Sequence, residues 1–157
     1  METMHLPAPD EADKILGYLI WRVSKLWQRR MTNCLKPLGI GSTQFVVLGN
    51  TIRLSDLGEA VSQRSLTLAT AIDAMTVSQT VRNLEAKGLI RYMPRIGDRR
   101  ERIILPTATG AHLLREALEL VSEAHGRFFD MDKHSEDRLV ELLQQLIKEN
   151  SSAKYLT

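Results

Sequence analysis

The segment from Ile72 to Gly110, IDAMTVSQTVRNLEAKGLIRYMPRIGDRRERIILPTATG, constrains the chain most. Its first half places Val77, Val81, Leu84 and Gly88 at spacings of four, three and four, the period of one helix face. The opposite side carries Gln79, Arg82 and Asn83, with Thr76 and Ser78 on its flanks. Short polar groups and a forked cation on one face can bond base edges and phosphates, while the other face enters a core. Residues 89–93 and 102–105, rich in Ile, Leu and Tyr, then read as two strands. Between them lies Pro94-Arg95-Ile96-Gly97-Asp98-Arg99-Arg100-Glu101, whose Pro and Gly punctuate a hairpin. A helix followed at once by a basic hairpin is the outline of a winged helix-turn-helix. Duplex DNA is the expected partner.

Charge supports that expectation once it is divided along the chain. The whole protein carries 21 Lys+Arg and 19 Asp+Glu, a net charge of only +2. Residues 1–75 hold 8 basic against 7 acidic groups, residues 76–102 hold 7 against 3, and residues 103–157 hold 6 against 9. Positive charge is thus concentrated on the helix and hairpin, where phosphates would lie, and the acidic tail is expected to face away.

The order of these residues resembles the MarR family of bacterial transcription regulators. The match lies in Thr76-Val77-Ser78 opening the recognition helix, Leu84-Glu85-Ala86-Lys87-Gly88-Leu89-Ile90 closing it, and Asp98-Arg99-Arg100 in the hairpin. Thr107 and Gly110 match the joint between the wing and the next helix. The resemblance spans roughly residues 12–150, with its specific motifs confined to 72–110. It implies a homodimeric repressor that places two recognition helices in successive major grooves of a pseudo-palindromic operator. It also implies that a wing arginine, among Arg95, Arg99 and Arg100, contacts DNA, with Asp98 orienting it. A small aromatic or anionic effector is the modulator such a resemblance allows. Residues 53–58 and the Leu66–Thr70 stretch depart from the family's pattern, and Pro106 stands where an apolar residue is usual.

The fold class expected is mainly α with a small β-wing (α+β): a winged helix-turn-helix flanked by N- and C-terminal dimerisation helices. Residues 1–11, with Pro7 and Pro9, read as a mobile arm. Residues 12–41 hold one long helix carrying Leu16, Leu19, Ile20, Val23, Trp27, Met31 and Leu35, stopped by Pro37 and Gly39. Residues 42–110 form the DNA-binding domain. In it Ser42 is expected to cap one helix, Ser62 a second that runs to Thr70, and Asp73 the recognition helix. Residues 111–157 complete the dimerisation helices. The first of these spans 108–129, and the last opens at Ser135-Glu136-Asp137. Leu139, Leu142, Leu146 and Ile147 on that last helix need an apolar partner, and a second copy of the chain is the expected one.

Other chemistries find little support. His5, His112, His125 and His134 lack metal-ligand spacing, and a single cysteine adds none, so neither a metal nor a cofactor is expected. Gly39-Ile40-Gly41 is followed by no phosphate-binding lysine, and no catalytic constellation stands out. No apolar run approaches the roughly 20 residues of a membrane helix, and no signal peptide is evident, so the cytoplasm is expected. Cys34 falls near the end of its helix, where the dipole disfavours a thiolate, and reads as structural rather than as an oxidant sensor. Trp21 and Trp27 are candidates for an aromatic-effector pocket, or for core and interface. The competing reading is a winged-helix protein-interaction module that never touches DNA. A salt-dependent shift of duplex DNA separates the two.

Overall fold

The computed structural model describes residues 14–95 and 98–151; for Arg95 and residues 98–101 it describes the backbone alone. The expected arm, residues 1–11, and the side chains of Arg95, Asp98, Arg99 and Arg100 therefore lie outside the described residues.

Helix α1 spans Leu16–Leu35, four residues later than the spacing predicts, because Ile15 is extended and offers no side-chain cap. Its end is as expected. Pro37 sits in a short 3-10 turn, Lys36–Leu38, and Gly39 closes it in the left-handed conformation, φ 67°. The apolar stripe of α1 divides along its length. Met31 and Leu35 are buried in the core and Trp27 packs against it, whereas Leu16, Leu19, Ile20 and Val23 remain exposed.

Helix α2 runs Ser42–Asp56. Gly41, not Ser42, occupies the cap position: its N–H donates to Gln44 Oε1 at 3.2 Å. Ser42 is instead the first helical residue, and its buried hydroxyl accepts from Thr32 Oγ1 at 3.0 Å. That bond ties α1 to α2. Residues 53–58, which depart from the family's pattern, form the end of α2 and a turn at Gly58, φ 78°.

Helix α3, Gln63–Thr70, begins as expected at Ser62, whose Oγ accepts from the Ser65 N–H at 3.1 Å. The turn that follows is tight. Ala71 adopts φ 55°, a left-handed conformation that a residue with a Cβ takes at some cost. Helix α4, Ala74–Ala86, starts on Asp73, which accepts from the Thr76 N–H at 2.9 Å. Its buried face is Val77, Thr80, Val81 and Leu84. Gly88, expected on that face, lies beyond the helix at φ 69°, where its N–H donates to Glu85 O and leaves the chain free to reverse.

The wing is a two-stranded antiparallel sheet of β1, Ile90–Arg95, and β2, Asp98–Pro106. Both strands reach further toward the tip than the apolar pattern predicts, because a two-stranded sheet needs no second buried face. Ile90 pairs with Pro106, Tyr92 with Ile104 and Pro94 with Arg102; the register then shifts, and Arg95 pairs with Asp98. Pro94 stands at that irregularity and Pro106 at a strand end, both places where a missing N–H is tolerated. The Ile104 N–H also donates to Val61 O at 2.8 Å, fastening the wing to the chain just before α3.

Leu35, Val47, Leu48, Val61, Leu66, Val77, Val81, Leu84, Ile90 and Ile104 form a continuous core across α1–α4 and the wing. Burying each such side chain contributes about 1.5–3 kcal/mol. Helix α5, Ala108–Phe128, adds Ala117, with Leu113, Leu114 and Val121 packed against the same core. Its start is set by Thr107, whose Oγ1 accepts from the Gly110 N–H at 3.0 Å and donates to Gly88 O at 2.7 Å.

By packing the chain divides into two units, residues 1–124 and residues 125–157. The second holds the end of α5 and helix α6, Lys133–Asn150. Helix α6 opens on Asp132, not on Ser135: Asp132 accepts from the Ser135 N–H at 3.0 Å and from its hydroxyl at 2.6 Å. Ser135 and Glu136 thus fall in the first turn, and Asp137 just beyond it. Leu139, Leu142, Leu143, Leu146 and Ile147 of α6 are all exposed.

Candidate nucleic-acid interface

Helix α4 presents the face its sequence spacing predicts. Thr76, Gln79, Arg82 and Asn83 are exposed and Ser78 is half-buried, while the valines and Leu84 are inaccessible. The polar side chains bond one another. Arg82 donates from one terminal nitrogen to Ser78 Oγ and from the other to Gln79 Oε1, both at 2.9 Å. Gln79 Nε2 donates onward to Asn83 Oδ1 at 3.1 Å. Among the described residues no carboxylate forms an ion pair with Arg82, so its charge is available to an anionic partner.

The start of α4 is electrostatically prepared. The Thr76 hydroxyl and then its backbone N–H hold the Asp73 carboxyl below the usual carboxylate range. The charged cap faces the positive end of the helix dipole and fixes the first turn. The far end is anchored too. Lys87, just past the helix, donates from Nζ to Gly39 O at 2.5 Å and to Gln44 Oε1 at 3.1 Å. Gln44 thus accepts from both Gly41 and Lys87, so the α1–α2 corner and the end of α4 share one acceptor.

The base of the wing is joined to the helices by Tyr92. Its hydroxyl accepts from Gln63 Nε2 at 3.1 Å, and the Arg102 guanidinium lies 5.4 Å from its ring centroid. A cation over a phenol face is held in place without losing its charge. The described residues thus include Arg102 as a basic group of the wing.

Three features escape the spacing argument. Met75, in the first turn of α4, is 82% exposed, and only its failure to fit the apolar period could have signalled it. The Lys87 anchor depends on a partner 48 residues away, which no local pattern reveals. The third is a cleft of about 390 Å³ whose lining includes Lys25, Trp27 and Gln28 of α1, Thr43 of α2, and Thr70, Ile72 and Thr76 around the α3–α4 turn. Trp27 lines this cleft, whereas Trp21, 57% exposed, is not among its lining residues. Cys34 is half-buried and donates from Sγ to Met31 O at 3.2 Å. Burial, the largest influence, pushes its thiol up.

The family model described as MarR family matches residues 38–101, the stretch from the end of the 3-10 turn to the wing. An uncharacterized HTH-type transcriptional regulator of Bacillus subtilis (strain 168), YdcH, is 32% identical over 132 residues, 84% of this chain and 89% of that protein. Among solved structures, a mutant MarR from E. coli complexed with operator DNA superposes with a TM-score of 0.74 at 25% identity, covering 84% of this chain and 93% of that one. CouR from Rhodococcus jostii RHA1, bound to p-coumaroyl-CoA, shares the fold with a TM-score of 0.75 at 24% identity, covering 91% and 96%. With these motifs, this wing and a relative matched over most of both lengths, the chain belongs to the MarR family of helix-turn-helix transcriptional regulators.

Proposed function

We propose that the protein is a sequence-specific double-stranded DNA-binding repressor. It acts as a homodimer on a pseudo-palindromic operator and is modulated by a small anionic or phenolic ligand. The observation that carries the reading is the exposed face of α4, where Thr76, Ser78, Gln79, Arg82 and Asn83 stand together behind the α3–α4 turn. The operator complex of the E. coli relative supports it. Arg95, Arg99 and Arg100 supply further phosphate contacts from the wing, with Asp98 orienting Arg100.

In this reading residues 42–110 bind DNA, and residues 12–41 and 111–157 dimerise. Leu139, Leu142, Leu146 and Ile147 are 38–64% exposed in the single chain, as are several apolar groups of α1. Exposed leucines at helical spacing favour burial against a second copy. Light scattering should therefore return twice 17.8 kDa. The cleft beside α4 is the candidate effector site: Lys25 offers a cation to a carboxylate, Trp27 a ring, and Thr76 a direct link to the recognition helix. Titration with 4-hydroxybenzoate should quench Trp27 fluorescence and weaken DNA binding.

The deciding experiment is retardation of duplex DNA at rising salt. Affinity should fall steeply, with one cluster of sequences strongly preferred. The exposure of Met75 and Leu68 favours a second reading, a module that binds protein rather than DNA. The absence of any salt-dependent shift would establish that alternative.

A further inference from the structure

We propose that Arg82 is the group of α4 that reads guanine, and that Gln79 is a positioning residue which aims it. The inference rests on the DNA-binding reading above and assigns its specificity. A glutamine reads adenine by offering its amide oxygen and nitrogen together. Here both are engaged: the oxygen accepts from Arg82 and the nitrogen donates to Asn83. Chemistry fixes this orientation of the amide. Arginine has only donors, so the atom facing it must be the oxygen, and Asn83 must then present its own oxygen to the remaining Nε2.

Gln79 keeps one hydrogen and one lone pair beyond these bonds, whereas Arg82 keeps three of its five N–H groups. Its two described bonds use one hydrogen on each terminal nitrogen, which leaves one on each for a partner. Together with Nε–H, which has no described partner, these leave Arg82 the donors that the adjacent acceptors O6 and N7 of guanine require. Its partners Ser78 and Gln79 lie four and three residues earlier, so the guanidinium is drawn back along the helix toward its N-terminal half. In helix-turn-helix proteins that half contacts base edges, whereas phosphates at the groove rim are reached by extended side chains. The helix therefore holds the fork aimed before DNA arrives, and less side-chain entropy is lost on contact.

The test begins by selecting duplexes from a random pool with the wild-type protein. Guanine at one position in each half-site is then replaced by 7-deazaguanine, which removes the N7 acceptor alone. Wild-type binding should weaken about 5- to 100-fold. Arg82→Ala should be indifferent to the replacement. Gln79→Ala should lose part of the guanine discrimination and none at any A·T pair, and the double variant should be no worse than Arg82→Ala. If Gln79→Ala instead loses discrimination at an A·T pair while Arg82→Ala weakens all sequences equally, the roles are reversed and the proposal is overturned. A wild-type protein that selects duplexes yet ignores 7-deazaguanine at every guanine also overturns it, with the DNA-binding reading intact. Failure to retain any duplex at low salt would remove that reading itself. Both substituted side chains are exposed, so circular dichroism of the variants should match wild type.

Discussion

Gly110 faces the Leu89 carbonyl so closely that a Cβ added to it would stand 2.0 Å from that oxygen. The same carbonyl accepts from the Thr107 N–H at 3.1 Å, so the end of the recognition segment, the end of the wing and the start of α5 meet there. Gly110→Ala must push backbone against backbone. It should lower stability by about 1–3 kcal/mol or more, read as a fall in thermal midpoint. Gly126, in the same helix with nothing within 4 Å, is the control. Gly126→Ala should be stabilising by about 0.5–1 kcal/mol. Equal midpoints for the two variants would contradict the close approach.

Asp73 makes the start of α4 sensitive to acid. Hydrogen bonds from Thr76 depress its folded-state pKa below the unfolded value of about 3.9. A depressed carboxylate contributes stability above the unfolded pKa and loses it as pH falls through the folded one. Asp73→Asn keeps a capping oxygen and cannot titrate. The wild type should therefore be the more stable at pH 7, and the difference should shrink progressively below about pH 4. Denaturant melts across that range measure it. A constant difference from pH 7 to pH 2 would remove Asp73 from the account.

Much of the fold is legible in the sequence because local physics dictates it. Ser62 and Asp73 cap their helices, and Val77, Val81 and Leu84 are buried, as a four-and-three spacing requires. Where two neighbouring residues can both cap, residue type alone selects the wrong one. Ser42 is drawn into the core by Thr32, ten residues earlier in the chain, which leaves the cap to Gly41. Asp132 outcompetes Ser135 because a carboxylate takes both the N–H and the hydroxyl of that same serine. The polar face of α4 is equally legible, but its internal bonding is not. Residue type names donors and acceptors, while the pairing of Gln79 with Arg82 and Asn83 is a choice among rotamers.

Cys34 should behave as a structural residue. Burial raises its thiol pKa, its Sγ bonds to Met31 O, and the nearby Arg30 offsets only part of the shift. A thiol poor in thiolate reacts slowly with iodoacetamide or peroxide near neutral pH. Cys34→Ser should leave DNA affinity essentially unchanged, since the residue lies late in α1 and not on the exposed face of α4. Its response to effector should also be unchanged. Peroxide-induced release from DNA in the wild type, abolished in Cys34→Ser, is the result that would make this thiol a sensor.

The wing supplies the last prediction. The proposed wing contact pairs Asp98 with Arg100, two residues later in the sequence. On that proposal Asp98 orients the Arg100 guanidinium, and Arg99 and Arg95 serve phosphates. An ion pair of that kind at a protein surface is worth only about 0–1 kcal/mol, so Arg100→Ala should leave the melting temperature nearly unchanged. Operator affinity should nevertheless fall. Removing Arg95 or Arg99 should weaken specific and random duplexes alike and flatten the salt dependence by about one unit for each phosphate left without its cation. That signature differs from the one expected for Arg82, whose removal should change sequence preference. If all three wing variants keep wild-type affinity and salt slope, the helix acts alone and the basic hairpin is only solvated charge.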